Sequence, residues 1–167
     1  ELPRDLLINY YQTYSSFWGH YSISVANNLY GKQQSAYQDS LFALIDHTSW
    51  DYRMSQASYY IWRDTLKSKE IFKELLDIEE VGTPNYAMIT HSYSRLCHHQ
   101  KKYDEEKKYL MLSAIADTRN ATRENASLQS LALIQYEEKN LADAFKFTQS
   151  AIDDVISSGI HFRAIEI

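Results

Sequence analysis

Two short polar stretches decide the fold: Gln-Lys-Lys-Tyr-Asp at residues 100–104 and Glu-Lys-Asn-Leu-Ala-Asp-Ala at residues 138–144. Each lies between two segments in which apolar residues recur at helical spacing, so each predicts a turn that joins two helices. Aligning the two turns gives a period of 38 residues, with Ser113 and Ala151 in equivalent places. A fixed period of this kind is typical of solenoids built from helical hairpins.

The same layout recurs one period earlier in the chain. A helix is predicted over about residues 66–79, ending before a Gly-Thr-Pro turn at 82–84, and the equivalent places hold Thr65, Ser68, Phe72 and Leu75. The period therefore predicts repeats over residues 49–167, the last helix being truncated. Residues 1–48 are predicted as an N-terminal helical region, either a degenerate repeat or a cap, in one continuous solenoid. A helical bundle without repeats is the competing interpretation.

Two local signals divide the N-terminal region. Gly31 follows an apolar stretch that begins at Ile23, and we expect it to end a helix there, since glycine is common just past helix ends. Thr48 and Ser49 precede the first repeat, and we expect one of them to cap its first helix.

The composition favours long helices. Hydrophobic residues make up 44% of the 167 residues and charged residues 23%, as in an ordinary globular protein. Only four glycines and two prolines are present, too few for the many turns of an all-β fold. The predicted class is all-α: a right-handed α-α superhelix of tetratricopeptide-like hairpins. The match to that pattern is partial, because the period is longer than the usual ~34 residues.

Charge and hydropathy exclude several classes of function. The net charge is −5 with both signs interspersed, so no nucleic acid is expected to bind through this segment. No apolar run reaches the roughly 20 residues of a membrane helix, so the segment is expected to be soluble. The chain begins with Glu1 and stops in what reads as an unfinished helix, which we interpret as a piece of a longer protein.

The central block is the most distinctive part of the sequence. It combines Leu-x-x-Ser-Ala-Ile-x-Asp at residues 110–117 with Glu-Asn-Ala-Ser-Leu-Gln-x-Leu-Ala at residues 124–132. Together with Tyr-x-Asp-Ser-Leu at residues 37–41 and the segment 144–154, it resembles a family of tetratricopeptide proteins from anaerobic gut bacteria that are labelled as transcriptional regulators.

This resemblance implies a longer architecture around the segment. It implies an export signal, a helical-repeat region on the periplasmic side of the cytoplasmic membrane, a membrane helix, and a cytoplasmic C-terminal part that binds DNA. The family brings no established ligand, so the resemblance implies a context and no particular site. In that context the membrane concerns only parts outside this chain.

A partner-binding groove is the predicted site. In tetratricopeptide arrays the first helix of each pair lines the concave surface at about four positions per repeat. The period places these positions at Trp50, Arg53, Ala57 and Tyr60, at Met88, His91, Arg95 and His98, and at Ala126, Gln129, Leu133 and Tyr136. Arginine beside aromatic residues suits an extended peptide, because arginine pairs with carboxylates and aromatic side chains give contact area at low entropic cost. Coverage by a neighbouring helix is the competing interpretation for several of them.

Catalysis and metal binding have little support. His91, Cys97, His98 and His99 lie close in sequence, but His91 and His98 are seven residues apart on a helix, about 10 Å, which is too far for one metal ion. No nucleophile elbow, phosphate loop or dinucleotide motif is present. We therefore predict no enzyme, no cofactor, no metal and no catalytic residue.

The functional prediction is a non-catalytic region for protein interaction and sensing in a membrane-anchored transcriptional regulator. It would bind a protein or peptide in the concave groove, and it could also self-associate. Two alternatives stay open: an envelope scaffold or adaptor without a transcriptional role, and a solenoid that binds a glycan or small ligand through its aromatic groove.

Overall fold

The computed structural model describes residues 3–24, 31–122 and 126–158, and every regular element in those ranges is an α-helix, which confirms the all-α class. The helices are α1 (Arg4–Ser24), α2 (Gly31–Leu44), α3 (Trp50–Tyr60), α4 (Thr65–Ile78), α5 (Pro84–His99), α6 (Tyr103–Arg119), α7 (Ala126–Glu137) and α8 (Leu141–Ser158). Among these helices none combines the length and apolar character that crossing a membrane requires.

The chain forms two compact units, Glu1–Arg53 and Met54–Ile167, and the division falls within α3. The boundary predicted after residue 48 and the single continuous solenoid stay predictions.

In the first unit, α1 packs against α2. The Arg4 guanidinium donates a hydrogen bond to the Leu44 carbonyl over 2.9 Å, which ties the start of α1 to the end of α2. Tyr14 and Tyr37 stack between the two helices, with ring centroids 5.3 Å apart. The Ser49 hydroxyl accepts the Tyr52 backbone N–H at 3.1 Å, which confirms the predicted cap at the start of α3.

The helix end predicted at Gly31 is wrong, because Gly31 is the first residue of α2. A glycine costs little there, since the first N–H groups of a helix have no partner within it. The rest of the predicted stretch, residues 25–30, lies outside the described residues, and Ile23 belongs to α1.

The second unit carries the repeat. Its second helices, α4, α6 and α8, begin at Thr65, Tyr103 and Leu141, at intervals of 38 residues. The turns after α5 and α7 have the same hydrogen bonds, from the Lys102 N–H to the Cys97 carbonyl and from the Asn140 N–H to the Gln135 carbonyl, both 2.9 Å. The predicted helical-hairpin period therefore exists in the backbone geometry as well as in the sequence.

The hairpins α5–α6 and α7–α8 meet in a buried joint. The core there is formed by Leu110, Ala114 and Leu131, against which Leu128, Ile134 and Phe147 pack. Beside it a buried hydrogen-bond chain runs from the Ser127 hydroxyl to the Ser113 hydroxyl (2.8 Å), and from Ser113 to the Ala87 carbonyl (2.9 Å). These small polar side chains let α5, α6 and α7 approach one another closely.

Candidate partner-binding site

Four predicted groove residues form one row on α5. Met88, His91, Arg95 and His98 follow the side of the helix that is exposed or partly exposed to solvent. The opposite side is buried and includes Tyr93, Leu96 and Cys97. This division gives α5 one face for the core and one for a partner. We refer to the four residues as the α5 row.

Arg95 is the centre of the α5 row. Its side chain is exposed to water, and yet desolvation by the surrounding protein lowers the pKa of its guanidinium below the usual value. A side chain that water can reach and that protein surrounds lies in a recess. Within the described residues no carboxylate forms an ion pair with Arg95. Arginine keeps its charge in proteins, so this recess presents a cation that can accept a carboxylate ligand.

His98 is held at the end of the α5 row by the second helix of its hairpin. Its Nδ1 lies 3.0 Å from both carboxylate oxygens of Glu106 on α6. Its ring also meets the Tyr103 ring edge to face, with centroids 6.0 Å apart. The side chain retains 62% of its exposure, so it is oriented and still accessible.

The predicted residues on α7 line a second concavity. Gln129 and Tyr136, together with Leu133, lie along a groove of about 590 Å³ between α7 and α8. The α8 wall includes Leu141, Phe145 and Thr148, and none of the lining residues carries a charge. The α5 row does not line this groove, so the α5 and α7 residues contribute to different concavities.

The α8 wall was missed by the sequence analysis, which considered only the first helix of each pair. Leu141 is 62% exposed and Phe145 is 70% exposed. The available signal was the period, which aligns Phe145 with Lys107, and Lys107 forms an ion pair with Glu138 beyond the end of α7.

The predicted residues on α3 are partly buried. Trp50 and Arg53 belong to the first unit, and the Trp50 indole N–H is buried with no hydrogen-bond partner among the described residues. Tyr60 belongs to the second unit, where its hydroxyl accepts a hydrogen bond from Lys67 Nζ at 2.8 Å.

Ala57 is wrong as a groove residue, because it is fully buried and its carbonyl accepts a hydrogen bond from the Ser68 hydroxyl at 2.7 Å. The reason lies in the turn that follows α3. It contains residues 61–64, one residue more than the turns after α5 and α7. This extra residue shifts the register of α3 by one, which on a helix is a rotation of about 100°.

The histidine and cysteine residues do not form a metal cluster. Cys97 is buried, and burial raises the pKa of its thiol to about 11. The His99 ring packs edge to face against Trp62 with centroids 4.5 Å apart. Across the described ranges, no three His, Cys, Asp or Glu side chains are grouped as a metal ion would need.

Comparisons with curated proteins and with solved structures gave no match. A model of the family described as the SusR N-terminal TPR domain matches residues 1–167. This match covers the whole chain and confirms the helical-hairpin solenoid of tetratricopeptide type. Such domains generally mediate protein–protein interaction and are typically non-catalytic. The chain belongs to the SusR N-terminal TPR domain family.

Proposed function

We propose that this chain is the sensor region of a membrane-anchored transcriptional regulator on the periplasmic side, and that it acts by binding a protein or peptide partner without catalysis. The family supports a role in protein interaction, and its description as an N-terminal domain fits a longer protein with an output region elsewhere. The binding residues we propose are the α5 row, with Gln129 and Tyr136 on α7 and Trp50, Arg53 and Tyr60 on α3.

The observation that carries this proposal is the state of Arg95. A desolvated guanidinium without an ion-pair partner among the described residues is costly in the free protein, and a carboxylate ligand removes that cost. Structural arginines are normally paired when protein surrounds them. Arg95 therefore has the properties of a binding residue and lacks those of a residue that stabilises the fold.

The neighbours of Arg95 define the chemistry of the partner. His91 and His98 lie on the same side of α5 and become cationic at mildly acidic pH. Met88 is 52% exposed at the other end of the row and offers an adaptable apolar contact. We therefore propose an extended peptide with an acidic side chain or a terminal carboxylate opposite Arg95 and an apolar residue opposite Met88.

The test is a pull-down of envelope and lysate proteins on the immobilised chain. It uses the parent, the α5 variant Arg95→Ala/His98→Ala, and the triple variant Arg53→Ala/His91→Ala/Arg95→Ala. The matched control is Lys73→Ala/Lys108→Ala, which removes two exposed cations from α4 and α6. Thermal midpoints of all variants are recorded by circular dichroism, so that loss of binding is separated from loss of folding.

We expect the parent and the control to capture the same partner, and both groove variants to lose it at least about tenfold in affinity, the cost of one charge-assisted contact. A partner that all four proteins retain equally would contradict the proposal and place the site on another face. Capture of DNA-free, uncharged ligands only, such as oligosaccharides in a thermal-shift screen, would favour the small-ligand alternative.

A further inference from the structure

The second unit leaves one repeat surface uncovered. The α7–α8 face, formed by Leu133, Tyr136, Leu141, Phe145 and Ala151, is apolar, and its four large side chains are 59–70% exposed. Burying large apolar side chains stabilises a protein by about 1.5–3 kcal/mol each, so an exposed group of this size points to a docking surface.

The same molecule shows what covers such a face. One period earlier, the equivalent surface of α5–α6 is covered by α7. Lys107, the equivalent of Phe145, retains only 27% side-chain exposure and contacts Glu138, beyond the end of α7. Leu110, the equivalent of Thr148, is 2% exposed in the joint with α7. The repeat therefore predicts that an amphipathic helix, placed as α7 is, covers the α7–α8 face.

The sequence after α8 supplies matching residues. In the joint between α6 and α7, Ser113 and Ser127 touch through their hydroxyl groups at 2.8 Å. One period later these positions hold Ala151 and Ile165. A polar side chain faces a polar one in the first joint, and the second joint would pair two apolar residues.

The same residues align with α5. Tyr86 and Ile89 near the start of α5 are both buried, and two periods later their places hold Phe162 and Ile165. Both apolar positions of the covering helix are thus present in the nine residues that follow Ser158.

We propose that residues 159–167 occupy the α7–α8 face as the beginning of a further first helix, with Ile165 against Ala151 and Phe162 in the place that Tyr86 has on α5. This contact buries Phe145 and Thr148, as α7 buries Lys107 and Leu110. It leaves Gln129 and Tyr136 accessible, because their equivalents on α5, His91 and His98, stay accessible beside α7. The inference therefore stands independently of the proposed function.

The test is a pair of engineered cysteines, Ala151→Cys with Ile165→Cys. The positive control is Ser113→Cys with Ser127→Cys, whose hydroxyl contact places the two side chains within disulfide range. The negative control is Ala151→Cys with Ala164→Cys, since Ala164 aligns with the exposed Met88. The native Cys97 is buried and its raised pKa keeps it out of the exchange. Mild oxidation followed by tryptic mass mapping detects the crosslinks.

We expect an intramolecular disulfide between positions 151 and 165 that forms about tenfold faster than the one between positions 151 and 164. Thermal midpoints before oxidation show whether each variant is folded, and Ala151→Ser with Ile165→Ser provides a thiol-free version of the same substitutions. Crosslinking between two chains would overturn the proposal in favour of a second copy on this face. Equal rates at both pairs, with the positive control crosslinked, would overturn it as well.

Discussion

The hydroxyl of Ser127 on α7 donates to the hydroxyl of Ser113 on α6 across 2.8 Å, and both side chains are buried. Ser113 in turn donates to the Ala87 carbonyl on α5 at 2.9 Å. Ser113 therefore uses both its donor and an acceptor position, whereas Ser127 is a donor at the end of the chain. Three helices from two neighbouring hairpins are joined through one side chain.

This asymmetry predicts unequal effects of two similar substitutions. We expect Ser113→Ala to lower the free energy of unfolding by about 2 kcal/mol, because it leaves the Ser127 hydroxyl buried without an acceptor. Ser127→Ala should cost only about 1 kcal/mol, since Ser113 keeps its bond to Ala87. Urea unfolding followed by circular dichroism measures both. The double variant should cost less than the sum, and strict additivity would contradict a coupled pair.

Lys139 provides a prediction about the turns. Its φ is 63° and that of Lys101, one period earlier, is 58°, a left-handed conformation that costs a residue with a Cβ about 1–2 kcal/mol. Glycine has no such cost, so we expect Lys139→Gly to stabilise the protein by about 1 kcal/mol in urea unfolding. The matched control is Lys73→Gly, in the middle of α4, which should destabilise by about 1 kcal/mol. Two changes of the same sign would show that lost lysine contacts dominate.

Asp117 predicts a dependence of stability on pH. Burial, and secondarily the negative charge of Asp154, raises the pKa of its carboxyl from 3.8 to about 6. The folded protein therefore binds this proton more tightly than the unfolded chain, and its contribution to stability is lost as pH rises from about 4 through 6. We expect Asp117→Asn to be more stable than the parent at pH 7.5 by about 1 kcal/mol, a value reduced for partial solvent screening.

The advantage of Asp117→Asn should disappear near pH 4, where the parent carboxyl is already protonated. Urea midpoints measured from pH 4 to pH 8 test this, with Asp77→Asn on the exposed side of α4 as the control. A difference between Asp117→Asn and the parent that stays constant over this range would sink the prediction.

Cys97 predicts a chemical property. Because burial raises the pKa of its thiol to about 11, almost no thiolate exists at pH 8, and the sulfur is also shielded from reagents. We expect a colorimetric thiol reagent to react with native protein only as fast as the protein unfolds, and at once in urea. Ser150→Cys, which adds an exposed thiol on α8, is the control and should react immediately with one equivalent. Fast labelling of Cys97 in native buffer would contradict its buried position.

The sequence alone determined the helical class, the position of the turns and the spacing of the repeat. Tyr103 and Leu141 were aligned from the polar stretches around them, and they are the first residues of α6 and α8. These features are local, because helical periodicity and turn residues act through near neighbours in the chain. The exposed α5 row followed from the same periodicity, since a helix that buries one side leaves the other free.

Only the tertiary structure decided which way α3 faces and what surrounds each groove residue. One additional residue in the turn after α3 buries Ala57, and no composition or spacing within α3 reveals that rotation. The desolvation of Arg95 and the uncharged α7–α8 groove likewise depend on side chains brought together from separate helices. Register and burial are set by packing across the hairpins, and packing is a property of pairs of residues that are distant in the sequence.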